Sequence, residues 1–285
     1  MSEIGAARKV LVAWNGSPAA AAALDVARVV GRQLGAEVEV LSVWETAEEL
    51  ERHRQEWERI AAQLQVPFQF AVGDAASEII RATEQRGVIL VSLTTHGREM
   101  EQEYRLGRVA EKVVAATTRP VLIVKPEALL AAEARPIRRL LVPLDGTPKT
   151  AEALRPVSQL ATVLGASIDL LYVAGPDQAP PVERGSVAAP RYVDQAQHEW
   201  PQWTVEVIER LANCCAGCPA EIEARAFLAQ GEIGEEIARF ARENDTDAIV
   251  LVRRSRLQPG RAKTIRAVLT LTQCFVIVIG GEEIV

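Results

Sequence analysis

The chain contains itself twice. Asn15-Gly16-Ser17-Pro18 returns as Asp145-Gly146-Thr147-Pro148, 130 residues later, and at that same offset Leu34-Gly35-Ala36 returns as Leu164-Gly165-Ala166 and Val38 to Val43 as Ile168 to Val173. Gly73-Asp74 with Glu78-Ile79 matches Gly231-Glu232 with Glu236-Ile237 at an offset of 158, so the second copy carries 28 extra residues between Val173 and Gly231. Pro120 to Val124 matches Cys274 to Val278 at an offset of 154. Solenoid units run roughly 20 to 50 residues, much shorter than this period, so the repeat is a duplicated domain. Each copy takes about half of the 285 residues, which is enough chain to bury a core of its own. The expected division is a first domain over 1–126, a linker over 127–137 and a second domain over 138–285, with an insert at about 174–219.

Within each copy, apolar runs alternate with helix-compatible stretches. In the first, Val10 to Trp14 predicts a buried strand, and Ser17 with Pro18 predicts a helix start, as N-cap and first helical residue. The helix runs to Gln33 and stops at Gly35. Strands are expected at Val38 to Val43, Phe68 to Val72, Val88 to Leu93 and Val121 to Val124, with helices at Glu48 to Gln65, Ser77 to Gln85 and Val109 to Ala116. The second copy repeats the scheme from Leu140 to Val278. Strands that are apolar on both faces and alternate with helices indicate an α/β fold, a parallel sheet with helices on both sides. The insert opens with Gly175-Pro176 and Ala179-Pro180-Pro181, which predicts a loop. It becomes helix-compatible from Tyr192 to Leu211, where Trp200 and Trp203 read as cover for the sheet.

Composition narrows the function. At 48% hydrophobic and 25% charged, the chain is that of an ordinary globular protein. No apolar run approaches the 18 or more residues that span a bilayer, and no signal-peptide core precedes Arg8-Lys9. A cytoplasmic location without membrane contact is expected. A net charge of -6 argues against sequence-independent nucleic-acid binding, which needs a basic face. Cys215 and Cys218, with Cys214 adjacent, have the spacing of a redox pair or of half a zinc site. His198 is the one nearby candidate for a further ligand, so the expectation is reduced, metal-free cysteines. His53, in a charged helix, is expected at the surface.

In an open parallel sheet, ligands sit beyond the carboxyl ends of the strands, where strand order reverses. The motif after the first strand and the loop after the fourth meet there. In the first copy that loop reads Thr94-Thr95-His96-Gly97-Arg98, and Gly107-Arg108 follow. With these residues the chain resembles the universal stress protein family in its tandem two-domain form, over both halves. The resemblance implies two Rossmann-like (adenine nucleotide α-hydrolase-like) domains, each a five-stranded parallel sheet of order 3-2-1-4-5. In nucleotide-binding members an Asp ends the first strand and contacts adenosine. The fourth strand then leads into Gly, two residues, Gly, nine residues, Gly and Ser or Thr, which hold phosphates and ribose. Glycines let backbone N–H groups close on phosphate, aided by a helix N-terminus.

This chain keeps Gly97 and Gly107 of that pattern. Thr94 stands at the first glycine position, Arg108 at the hydroxyl position and Asn15 at the Asp position. Arg108 can pair with phosphate through its guanidinium fork. The resemblance thus implies ATP or another adenine nucleotide as cofactor, on Asn15, Gly16, Val43, Thr94, Gly97, Gly107 and Arg108. His96 has no catalytic role by the same comparison. The second copy keeps Pro143, Asp145 and Gly146, with Val173 at the end of its second strand, but its later loop has no glycine until Gly260. Arg253, Arg254, Arg256, Arg261, Lys263 and Arg266 place six positive charges in 14 residues there. Arg253 and Arg254 stand where phosphate would go, and either acids of the insert (Glu183, Asp194, Glu199) or a bound anion should offset the cluster.

In the family, fifth strands pair across a two-fold axis. The resemblance therefore implies that Val121 to Val124 and Phe275 to Ile279 pair within the chain, as an intramolecular pseudo-dimer; a homodimer and an unknown protein partner are compatible with it. Function is then nucleotide or anion sensing and partner binding under stress, without turnover. The rivals are an ATP-hydrolysing or ATP-using α/β enzyme and a pure interaction protein whose two sites bind nothing.

Overall fold

The computed structural model describes residues 7–95, 106–125, 135–144, 154–174, 222–252 and 259–280. The chain divides into two compact units, Met1–Pro136 and Ile137–Val285. In the first, the elements in chain order are β1 (Lys9–Trp14), α1 (Pro18–Leu34), β2 (Glu37–Trp44), α2 (Ala47–Leu64), β3 (Phe68–Val72), α3 (Ala75–Thr83), β4 (Val88–Thr94), α4 (Arg108–Ala116) and β5 (Val121–Val124). All strand pairs are parallel, in the order β3-β2-β1-β4-β5.

Local chemistry sets the first turns of this unit. Ser17 Oγ accepts from the Ala20 N–H at 3.1 Å, capping α1, and Pro18 occupies the first helical turn, where a missing N–H costs nothing. At the other end Gly35 is left-handed, with φ 58°. Its N–H donates to the Arg32 carbonyl at 3.3 Å and the Ala36 N–H to the Gly31 carbonyl at 2.8 Å, the paired bonds of a Schellman cap. The second unit repeats it: Gly165 N–H donates to Thr162 at 3.2 Å and Ala166 N–H to Ala161 at 2.9 Å. The repeated Leu-Gly-Ala is therefore a helix stop.

Side chains alternate across the sheet and define its two faces. Val10, Leu11 and Val12 have no exposure at all, so β1 is covered on both. On the face of Val10, Val12 and Trp14, α1 lays Gly31 against Val10 and Val38. On that same face α2 brings Trp57, whose ring meets Trp14 edge-on at 6.5 Å and lies 6.3 Å from Phe68. The opposite face, with Ala13, Leu41 and Val43, is met by Ile79 of α3.

Helix α3 starts earlier than the sequence predicts, at Ala75 rather than Ser77. The cap is Asp74, whose carboxylate accepts from the Ser77 N–H at 3.0 Å and the Ser77 hydroxyl at 2.8 Å. Ser77 therefore lies inside the first turn, as the residue whose N–H the Asp74 cap satisfies.

The second unit runs β6 (Arg139–Leu144), α5 (Leu154–Leu164), β7 (Ser167–Ala174), β8 (Ala224–Gln230), α6 (Ile233–Glu243), β9 (Ala248–Val252), α7 (Pro259–Leu271) and β10 (Phe275–Ile279). Its strands are parallel in the order β8-β7-β6-β9-β10, which is again 3-2-1-4-5 within the unit. No helix among the described residues is long and apolar enough to cross a membrane.

Candidate functional site

In the first unit strand order reverses between β1 and β4, and a cavity of about 560 Å³ opens at the carboxyl ends of these strands and β2. That is where an open parallel sheet leaves space, because successive connections leave in opposite directions. Ala13, Leu41, Val43 and Leu93 from the sheet, Ala75 and Ile79 from α3 and Val109 and Ala110 from α4 line it. Its polar lining is Asn15, Glu45, Thr94, Thr95 and Arg108, beside the Gly107 backbone. Five residues marked in the sequence, Asn15, Val43, Thr94, Gly107 and Arg108, so line one cavity.

Each is placed by a local device. Asn15 Oδ1 accepts from the Ser17 N–H at 3.1 Å, which ties the side chain to the turn around Gly16, whose φ is 79°. Asn15 thus organises the helix start as well as facing the cavity. Gly107 N–H donates to the Thr95 carbonyl at 2.7 Å, and Thr95, itself 5% exposed, donates its N–H to Val124 of β5 at 3.3 Å. A Cβ on Gly107 would stand 3.2 Å from that carbonyl, so a side chain there forces the backbones apart. Gly107 is also the N-cap of α4, and it has no side chain with which to cap the helix. The first N–H groups of α4 and the partial positive charge of its N-terminus therefore lie at the cavity wall, with exposed Arg108 as first residue.

Helix α3 opens on the same cavity through Ala75, but its N-terminus is closed by Asp74. The Ser77 N–H and hydroxyl hold the Asp74 carboxyl below the usual carboxylate range against an opposing desolvation, and Lys112 Nζ at 3.7 Å adds a lesser lowering. Of the two helix starts, α4 has a glycine at its N-cap and α3 carries a carboxylate.

Glu45 and Thr95 were not singled out in the sequence. Glu45 is the first residue after β2 and Thr95 the first after β4. Strand-end position was the signal that could have found them. Gly97, His96, Asp145, Gly146, Arg253, Arg254, Cys214, Cys215, Cys218, His198, Trp200, Trp203 and the insert acids lie outside the described residues. Pro143 lies on β6 opposite Leu171 of β7, and Val173 lies on β7 opposite Ala229 of β8. His53 is exposed on α2, its ring stacked 5.4 Å from that of Trp44. Among the described residues no group of three or more His, Cys, Asp or Glu side chains is placed to hold a metal ion.

Whole-chain comparison places this architecture among solved structures. A universal stress protein from Archaeoglobus fulgidus DSM 4304 superposes with a TM-score of 0.65 at 18% identity, over 95% of this chain and 96% of that one. A functionally unknown protein from Pseudomonas aeruginosa PAO1 gives 0.64 at 16% identity, over 96% and 93%. A putative universal stress protein from Pseudomonas aeruginosa UCBPP-PA14 gives 0.63 at 16% identity, over 96% and 94%. These likenesses speak for the fold. No curated protein matches the chain in sequence. The sequence profile of the Universal stress protein family matches residues 47–125 and 136–280, in both halves. With more than half its length matched, in two tandem segments, the chain belongs to the universal stress protein family.

Proposed function

We propose that the first unit binds a nucleotide in the cavity at the β1–β4 reversal and that the protein works by binding rather than by turnover. The observation that carries this reading is that Arg108 and the α4 N-terminus, whose N-cap is a glycine, line the same 560 Å³ cavity as Leu41, Val43 and Ile79. Phosphate is drawn to the cationic end, where N–H groups and a guanidinium can both donate to it. The aliphatic walls suit the faces of a base. Gly107 serves the phosphate end by its close approach to Thr95. Sensing of the nucleotide would pass to a protein partner, the reading most in keeping with a ligand held and not consumed.

Calorimetry with nucleoside triphosphates tests the reading. Binding should weaken about tenfold in Arg108→Ala, the loss of one charge-assisted contact, and further in Gly107→Val. Absence of binding, or affinity indifferent to Arg108, would return the chain to the interaction-protein reading. Accumulation of diphosphate over many turnovers would make it an enzyme.

A further inference from the structure

The outer edge of β3 takes no part in the cavity. Among the described residues β3 pairs with β2 alone. At the two ends of that pairing the Val40 N–H donates to the Pro67 carbonyl and the Gly73 N–H to the Trp44 carbonyl, both at 2.8 Å. In a parallel ladder every second residue turns its backbone to the neighbouring strand, so Pro67, Gln69, Ala71 and Gly73 face β2. Phe68, Phe70 and Val72 therefore turn their N–H and C=O groups to the open side.

Natural sheets guard such edges with a charge, a proline, a bulge or a cover. The strand Phe68-Gln69-Phe70-Ala71-Val72 has neither charge nor proline, and its register on β2 runs without a shift. The outer strand of the second unit, β8, carries Arg225 with 40% of its side chain exposed. Phe68, Phe70 and Val72 share the face of the sheet on which α2 lies, since Phe68 meets Trp57 there. The cover is incomplete: Phe68 and Phe70 are partly exposed and Val72 is 42% exposed.

What fits this edge follows from how the strand matches itself. With two copies antiparallel about a two-fold axis at Phe70, Phe70 faces the partner's Phe70, Phe68 faces the partner's Val72 and Gln69 faces the partner's Ala71. All three residues with outward backbone then fall in hydrogen-bonded pairs, which exchange two bonds each, about six in all. Every facing pair on the α2 side is apolar, and no like charges meet. A slip of the pairing in either direction leaves one of the three outward residues without a partner in the strand. We infer that the outer edge of β3 is a homodimer interface, where two copies of this chain join their sheets in antiparallel.

Sedimentation equilibrium of the full chain tests this. The expected result is a species of twice the 31.0 kDa chain mass. Val72→Lys places a charge on the edge at an exposed position, so the variant keeps the far-UV circular dichroism of the unmodified protein while its dimer weakens about tenfold. Phe70→Lys sets two like charges directly opposite and should weaken the dimer at least as much. Mixing Phe70→Lys with Phe70→Glu should restore a dimer that neither variant forms alone, because the axis brings the two substituted positions face to face. A misfolded variant is not rescued in this way. A monomeric unmodified chain, or a dimer indifferent to both lysines, overturns the interface. A mixture that stays monomeric overturns the pairing about Phe70.

Discussion

Arg225 grips Asp169 with two parallel bonds, Nε to Oδ1 at 2.8 Å and Nη2 to Oδ2 at 3.0 Å, across the neighbouring strands β8 and β7. The partners are unequally buried: the Asp169 side chain has no exposure, whereas that of Arg225 keeps 40%. The bond to Asp169 raises the Arg225 guanidinium further above its ordinary range, against a smaller desolvation. The first unit answers with Glu39, at the Asp169 position of the repeat, held by Lys9 at 3.0 Å and by the Gln69 amide at 2.7 Å. A carboxylate inside the second strand is common to both halves, and each half neutralises it differently.

That inequality predicts an asymmetric pair of mutants. Arg225→Ala strands a buried carboxylate and should cost about 3 kcal/mol. Asp169→Ala leaves an arginine that already reaches water and should cost about 1 kcal/mol. Urea unfolding of both variants checks the order, and equal losses would contradict it.

Gly231 has φ 147° and Gly73 φ 143°, backbone that side chains rarely adopt, and over each lies a glutamate five residues on. These glutamates, Glu236 and Glu78, pair with Arg239 and Arg81. Gly231→Ala should lower stability by about 2 kcal/mol, read as a drop in Tm. Gly73→Ala should cost less, because its added Cβ would meet Glu78 at 3.5 Å where that of Gly231 meets Glu236 at 3.0 Å.

Helices α6 and α7 touch through Gly234 and Ala267, and a Cβ on Gly234 would overlap the Ala267 methyl. Gly234→Ala should destabilise by about 2 kcal/mol through overpacking. Adding Ala267→Gly should recover part of the loss, a coupling that distant sites do not show. A double mutant whose loss equals the sum of the two single losses would refute the contact.

Asp74 carries the pH prediction. Its carboxyl is held below the usual range in the folded chain. It therefore adds stability above the unfolded carboxylate pKa of about 3.9, and this is lost as pH falls through the lower folded value. Asp74→Ala should melt lower than the unmodified protein at neutral pH. The gap should close in acid as the cap protonates, and a gap independent of pH would exclude the cap as its source.

Much of the fold was legible in the chain. The doubled motifs marked two units, apolar runs matched β3 and β5 residue for residue, and Ser17-Pro18 and Leu34-Gly35-Ala36 marked the ends of α1. These features are local: a cap, a turn or a both-faced strand is decided by residues within a few positions of one another. The start of α3 was read at Ser77, two residues late, where Asp74 caps a helix that begins at Ala75.

What the tertiary structure decided is adjacency. Asp169 and Arg225 are separated by 56 positions and meet only because β7 and β8 pair in one register. Glu45, Asn15 and Arg108 share a cavity only because β1 lies between β2 and β4. Strand order and register arise from the packing of whole helices on whole sheets, which no short stretch of sequence encodes. For that reason the chemistry of Asn15 and Arg108 could be read one residue at a time, while the meeting of Glu45 and Arg108 in a single cavity required the folded chain.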